Sequence, residues 1–73
     1  MNYYEVDDLV FAKSKRGFFE PAVVVRPNNQ YTRYKVNFIG SKFQKVFPFQ
    51  ELKDYNEENL SIYRNQISIA PDR

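Results

Sequence analysis

The residues that could do chemistry here are aromatic rings and cations. Six tyrosines and seven phenylalanines make up 18% of a 73-residue chain. Lys13, Lys15 and Arg16 form a basic run flanked by Phe11 and Phe18. Ring faces attract cations, and Lys and Arg neutralise phosphate. Both are the chemistry of holding a ligand. Bond-breaking chemistry is poorly served, because the chain has no histidine and no cysteine. That removes the commonest general base, the thiolate nucleophile and the strongest metal ligands. Only carboxylates and hydroxyls are left, and Glu20 has no carboxylate partner near it in sequence. The expectation is a non-enzymatic protein with no catalytic residues, no metal and no cofactor.

Charge is segregated. Lys13, Lys15, Arg16, Arg26, Arg33, Lys35, Lys42 and Lys45 are opposed within their stretch only by Glu20, a net +7. The remaining residues hold three cations against eight acids, a net −5. Such asymmetry suggests a polyanion-facing surface with an acidic flank; the alternative is a solvated strand face.

The elements that must position these groups are mostly strands. Leu9–Lys13 puts Val10 and Ala12 on one face, and Leu9, Phe11 and Lys13 on the other. Ser14–Gly17 makes a basic turn in which Gly17 is free to take positive φ. The second strand runs from Phe18 to Arg26. Pro21 is expected in an irregular opening part, with the regular strand over Ala22–Arg26. Pro27–Gln30 signals a turn. Tyr31–Ile39 alternates most cleanly, with Tyr34, Val36 and Phe38 facing one way and Arg33, Lys35 and Asn37 the other. Gly40-Ser41 reads as a two-residue hairpin connection.

The fourth strand is Lys42–Phe47, with Phe43, Lys45 and Phe47 sharing a face. A helical turn over Phe49–Lys53, a short strand near Lys53–Tyr55 and a helix over Asn56–Asn65 follow. The helix has Asn56 as its N-cap and two acids in its first turn. Gln66–Arg73 reads as a short strand or ordered tail. A chain this short is one domain near the lower limit for an independent core, with that core over about 8–55 and a helix and tail over 56–73. No apolar run approaches the roughly 20 residues of a membrane span, and MNYYEVDD lacks signal-peptide character. The expectation is a soluble intracellular protein or excised domain.

Three segments carry a resemblance. DLVFAKSKRGFFEPAVVV resembles the opening of a PWWP domain, YKVNFIGS its third strand, and VFPFQELKDYNEEN its exit into a helix. Together they cover about Val6 to Tyr63. The name-giving tetrad stands here as Phe18-Phe19-Glu20-Pro21, keeping only the final proline. The wider grouping is the Tudor-like, or royal, superfamily. The resemblance implies a mainly β fold, a five-stranded SH3-like barrel with a short C-terminal helix or extension.

It implies a nuclear, chromatin-associated module that binds duplex DNA and a histone tail or nucleosome, and that could join other subunits of a chromatin complex. The family's methyl-lysine cage maps near Ser14, at Glu20 and at Phe38, of which only Phe38 is aromatic. Phe19 is an alternative wall, and a carboxylate such as Glu20 can pair with a methylated ammonium. The candidate cage is therefore Phe18, Phe19, Glu20, Tyr34 and Phe38. Candidate DNA contacts are Lys13, Lys15, Arg16, Arg33, Lys35, Lys42 and Lys45.

Alternatives stay open for each. Phe18 and Phe19 either wall the cage or plug the barrel, and Phe38 is either cage or core. Glu20 is either a ligand group or the partner of Lys13 or Arg33. Two other functions stay open: a Tudor-like protein-interaction domain of a chromatin complex or checkpoint adaptor, and an RNA-binding SH3-like barrel.

Overall fold

The computed structural model describes residues 3–69. It is mainly β: five antiparallel strands and one C-terminal helix. The strands are β1 (Leu9–Lys13), β2 (Phe19–Pro27), β3 (Arg33–Phe38), β4 (Gln44–Pro48) and β5 (Leu52–Asp54). A 3-10 turn over Phe49–Glu51 joins β4 to β5, and the helix α1 spans Glu57–Ile69. The sheet is open, in the order β4-β3-β2-β1-β5. One cluster unites the inner faces of all five strands: Val10 and Ala12, Ala22 and Val24, Tyr34, Val36 and Phe38, Phe47, and Leu52. Residues on both edge strands meet in one cluster only if the sheet curls, so the fold is barrel-like.

Alternation explains the core. Ala22 faces Phe38, Val24 faces Val36, and Tyr34 faces Phe47, each pair buried on the same side. The N-terminal segment closes one end of this curl. Tyr4 packs edge-on against Tyr34 (5.6 Å) and beside Phe49 (5.4 Å). Its backbone N–H donates to Tyr34 Oη (3.2 Å), and its own hydroxyl donates to Asp54 Oδ1 (2.8 Å).

The outer face is covered where α1 lies. Phe11, on the outer side of β1, is buried against Tyr55 (5.1 Å) and Tyr63 (5.7 Å).

Several boundaries differ from the sequence reading. Pro21 lies within a regular ladder, opposite Phe11. Its carbonyl accepts from Ile39 N (3.1 Å), and the missing N–H faces the same side, where β3 has already ended. The irregularity of β2 is instead a bulge between Val24 and Arg26. The β3–β4 link is five residues, not two: Ser41 N bonds Phe38 O (3.1 Å) and Phe38 N bonds Phe43 O (3.3 Å). The fifth strand begins at Leu52, which is buried. The helix is capped by Asn56 Oδ1 accepting from Asn59 N (2.9 Å). It continues to Ile69, so residues 66–69 are helical rather than extended; residues 70–73 of the expected tail lie outside the described residues.

Candidate binding site at the open end of the sheet

The inner-face alternation does not stop where the core stops. One step beyond Ala12 on that face is Ser14, and one step before Ala22 is Glu20, while Phe38, opposite Ala22, is the last core residue of β3. On β4 the sequence backward from Phe47 is Lys45, then Phe43. These positions ring the end of the curl opposite Tyr4. A cavity of about 220 Å³ opens there, lined by Ser14, Lys15, Arg16, Glu20, Phe38, Ile39, Ser41 and Phe43.

Each wall is held by local structure. The β1–β2 loop is a turn in which Gly17 N bonds Ser14 O (3.0 Å) and Ser14 N bonds Phe18 O (2.8 Å). Gly17 sits at φ 86°, the left-handed region that glycine enters at no steric cost. The Ser14 hydroxyl accepts from Arg16 N (3.2 Å) and donates to Glu20 Oε2 (2.7 Å). That bond fixes the carboxylate at the cavity wall.

Across the cavity, Phe38 and Phe43 stack at 6.1 Å with an interplanar angle of 19°. Phe38 is 7% exposed and Phe43 42%, so the first is the floor and the second an accessible wall. Phe43 is held by Ser41 Oγ, which accepts from its N–H (2.9 Å). The Asn37 amide, with its nitrogen toward the loop, donates to Phe43 O (3.1 Å) and Ser41 O (3.3 Å). The Lys15 ammonium lies 5.2 Å from the Phe43 centroid. A cation already occupies one ring face of this cavity.

The structure brings together Ser14, Glu20 and Phe38 and separates the other cage candidates. Tyr34 is 0% exposed; its hydroxyl, which donates to Tyr31 O (3.0 Å), belongs to the plugged end. Phe19 pairs with Lys13 on the outer face and lines a groove with Phe11, Lys53 and Tyr63 under α1. Phe18 stays in the loop, with the Arg16 guanidinium 5.9 Å from its centroid. Glu20 is partnered by Ser14. Lys13 is on the opposite face, and Arg33 is at the far end of β3, so neither is placed to pair with it. Phe43 was not among the candidates. Its signal was present, since it shares the Phe47 face by alternation.

The seven candidate DNA contacts also divide. Lys13, Lys15, Arg16, Lys42 and Lys45 belong to strand ends and loops around the open end, and the Lys45 ammonium lies over Phe47 (5.2 Å). Arg33 and Lys35 lie on the outer face of β3, toward its other end. No family model, curated protein or solved structure gives a significant match to this chain.

Proposed function

We propose that the chain is a non-enzymatic binding module, an SH3-like barrel of the Tudor/PWWP kind, whose open end takes a cationic side chain. The ligand chemistry is that of a methylated lysine on a histone tail, and the cations around the opening contact duplex DNA in the same chromatin setting. The observation that carries the reading is the pairing of a stacked Phe38–Phe43 wall with the Glu20 carboxylate around one cavity, with Lys15 already over Phe43. Alkylated ammonium is drawn to ring faces, and the carboxylate supplies the opposing charge. Strand number, the single inner-face core and the 3-10 turn before the last strand support the barrel. Lys13, Lys15, Arg16, Lys42 and Lys45 would act on phosphate as point charges and forks, without reading bases.

The test is an NMR titration with a trimethyl-lysine peptide and its unmodified twin. Shifts should centre on Ser14, Glu20, Phe38 and Phe43. Phe43→Ala should weaken peptide binding about tenfold, the loss of roughly 1–2 kcal/mol from one ring, and leave melting nearly unchanged because the ring is half exposed. Phe38→Ala should instead destabilise the fold by several kcal/mol. No shift at millimolar peptide removes the cation-site reading. Ile39, 56% exposed beside the cavity, favours one alternative, a peptide-binding barrel indifferent to methylation; equal affinity for the two peptides would select it.

A further inference from the structure

The outer face of β2, β3 and β4 carries a second cavity near the β2–β3 turn, of about 190 Å³, lined by Arg26, Pro27, Asn28, Arg33, Lys35 and Val46 and by no residue of α1. Half of those side chains are cations and none is an acid.

The bulge builds this cluster. Val24 is inward, opposite Val36, so regular alternation would carry Arg26 inward too, against Tyr34. The register instead moves two residues along β2 for one along β3, and Arg26 lands opposite Lys35 on the outer face. An extra residue in one strand re-aims the side chains that follow it. Arg33, two residues from Lys35, shares its face about 6.6 Å away along the strand. The start of β3 is pinned: Asn28 Oδ1 accepts from Thr32 N (2.8 Å) and Arg33 N (3.1 Å), and Asn28 N donates to Arg33 O (2.9 Å).

Like charges directly across a strand pair destabilise a sheet. The arrangement turns favourable when an anion sits between them. We infer that the Arg26–Arg33–Lys35 groove is a phosphodiester-binding site that engages the backbone of a nucleic acid. Guanidinium forks match phosphate oxygens in pairs. The spacing of Arg33 and Lys35 suits neighbouring phosphates of one strand. The floor is Pro27 and Val46, the latter 49% exposed. With no aromatic ring in the lining there is no platform for stacking bases, so the groove grips backbone and is indifferent to sequence. It is separate from the cation site: Arg33 and Phe38 are five residues apart on β3, about 16 Å, and point to opposite faces. The inference rests on the nucleic-acid half of the proposed function and adds a second contact surface to it.

The test is fluorescence anisotropy with a labelled 12-base-pair duplex over a series of NaCl concentrations. Three proteins are compared: wild type, Arg26→Gln/Arg33→Gln/Lys35→Gln, and Lys15→Gln/Arg16→Gln. Each lost phosphate contact lowers the slope of log K against log salt by about 0.9, so the groove variant should lose about 2.7. It should bind a trimethyl-lysine peptide as wild type does and melt no lower. Arg26→Lys/Arg33→Lys should retain the slope.

A groove variant with the wild-type slope, beside a loop variant with a reduced one, overturns the groove and leaves the loop contact standing. Absence of duplex binding by wild type at low salt overturns the nucleic-acid reading and the groove with it. Tighter binding of a phosphoserine peptide than of the duplex, lost in the groove variant, overturns the ligand class.

Discussion

At the scale of single residues, Lys15 stands where two demands meet. Its ammonium lies 5.2 Å from the Phe43 centroid, on the ring face that an incoming methylated ammonium would use. It also belongs to the basic loop proposed to face phosphate. Lys15→Gln should therefore act in opposite directions on the two ligands. Removing the resident cation should tighten a trimethyl-lysine peptide about two- to fivefold, since an exposed cation–π contact is worth about 0.5–1 kcal/mol. Removing a phosphate contact should lower the duplex salt slope by about 0.9. Calorimetry with the peptide and anisotropy with the duplex measure the pair; weaker binding of both would mean that Lys15 supports the site rather than occupying it. Ser14, Glu20 and Phe38 were reachable from the sequence because the family resemblance maps onto them; alternation supports only Phe38, while Ser14 reads as turn and Glu20 as the irregular start of a strand. Phe43 is not legible as a site residue, because a phenylalanine on the Phe47 face of an alternating strand looks like core. Only the structure reveals that it stacks on the outermost core ring, Phe38, and stays 42% exposed.

At the scale of elements, strands were legible and their irregularities were not. The inner faces of β1 and β3 follow the period of two, and burial of one face fixes that period strongly. A bulge leaves no such mark, so in the sequence Arg26 is one more cation of the basic stretch and the end of a strand, not the residue that completes a groove. The helix outruns its sequence signal, because Ile67 and Ile69 favour extended backbone. That preference is well under 1 kcal/mol per residue, and a helix already nucleated from the Asn56 cap extends more easily than it stops. What α1 does for the sheet is cover Phe11, with Tyr63 at 5.7 Å and Tyr55 stacked at 5.1 Å. Tyr63→Ala should open that contact and cost about 1–3 kcal/mol, a fall of several degrees to about 20 °C in Tm for a domain this small. Peptide shifts at Phe38 and Phe43 should persist, because no α1 residue lines the open-end cavity. A melting temperature within a degree of wild type would show that the helix is not part of the cooperative unit.

At the scale of the whole molecule, the two ends of the curled sheet are built for opposite purposes, one sealed and one open. The seal is Tyr4, whose ring packs between Tyr34 and Phe49 and whose hydroxyl donates to Asp54. This was not legible locally, since residues 1–8 carry only scattered aromatics and the partners lie 30 and 50 positions away. The seal has a titration signature. Burial first, then the hydrogen bond to Asp54 and the negative charge of that carboxylate, push the Tyr4 phenol well above its ordinary range. In the unfolded chain the phenol loses its proton near pH 10, whereas in the folded chain it keeps it. The native state therefore binds more protons above pH 10, and stability must fall as pH rises through that range. Below pH 10 both states hold the proton and the contribution is constant. Tyr4→Phe removes the titrating group and the hydrogen bond together, so at pH 8 it should cost about 1 kcal/mol or less. Urea midpoints for the two proteins should then keep their separation up to about pH 10 and converge as pH rises from there to about 11.5, because wild type loses a contribution that the variant lacks. Parallel curves across that range would mean that Tyr4 is solvated like any surface tyrosine, and that the end of the sheet it occupies is not sealed.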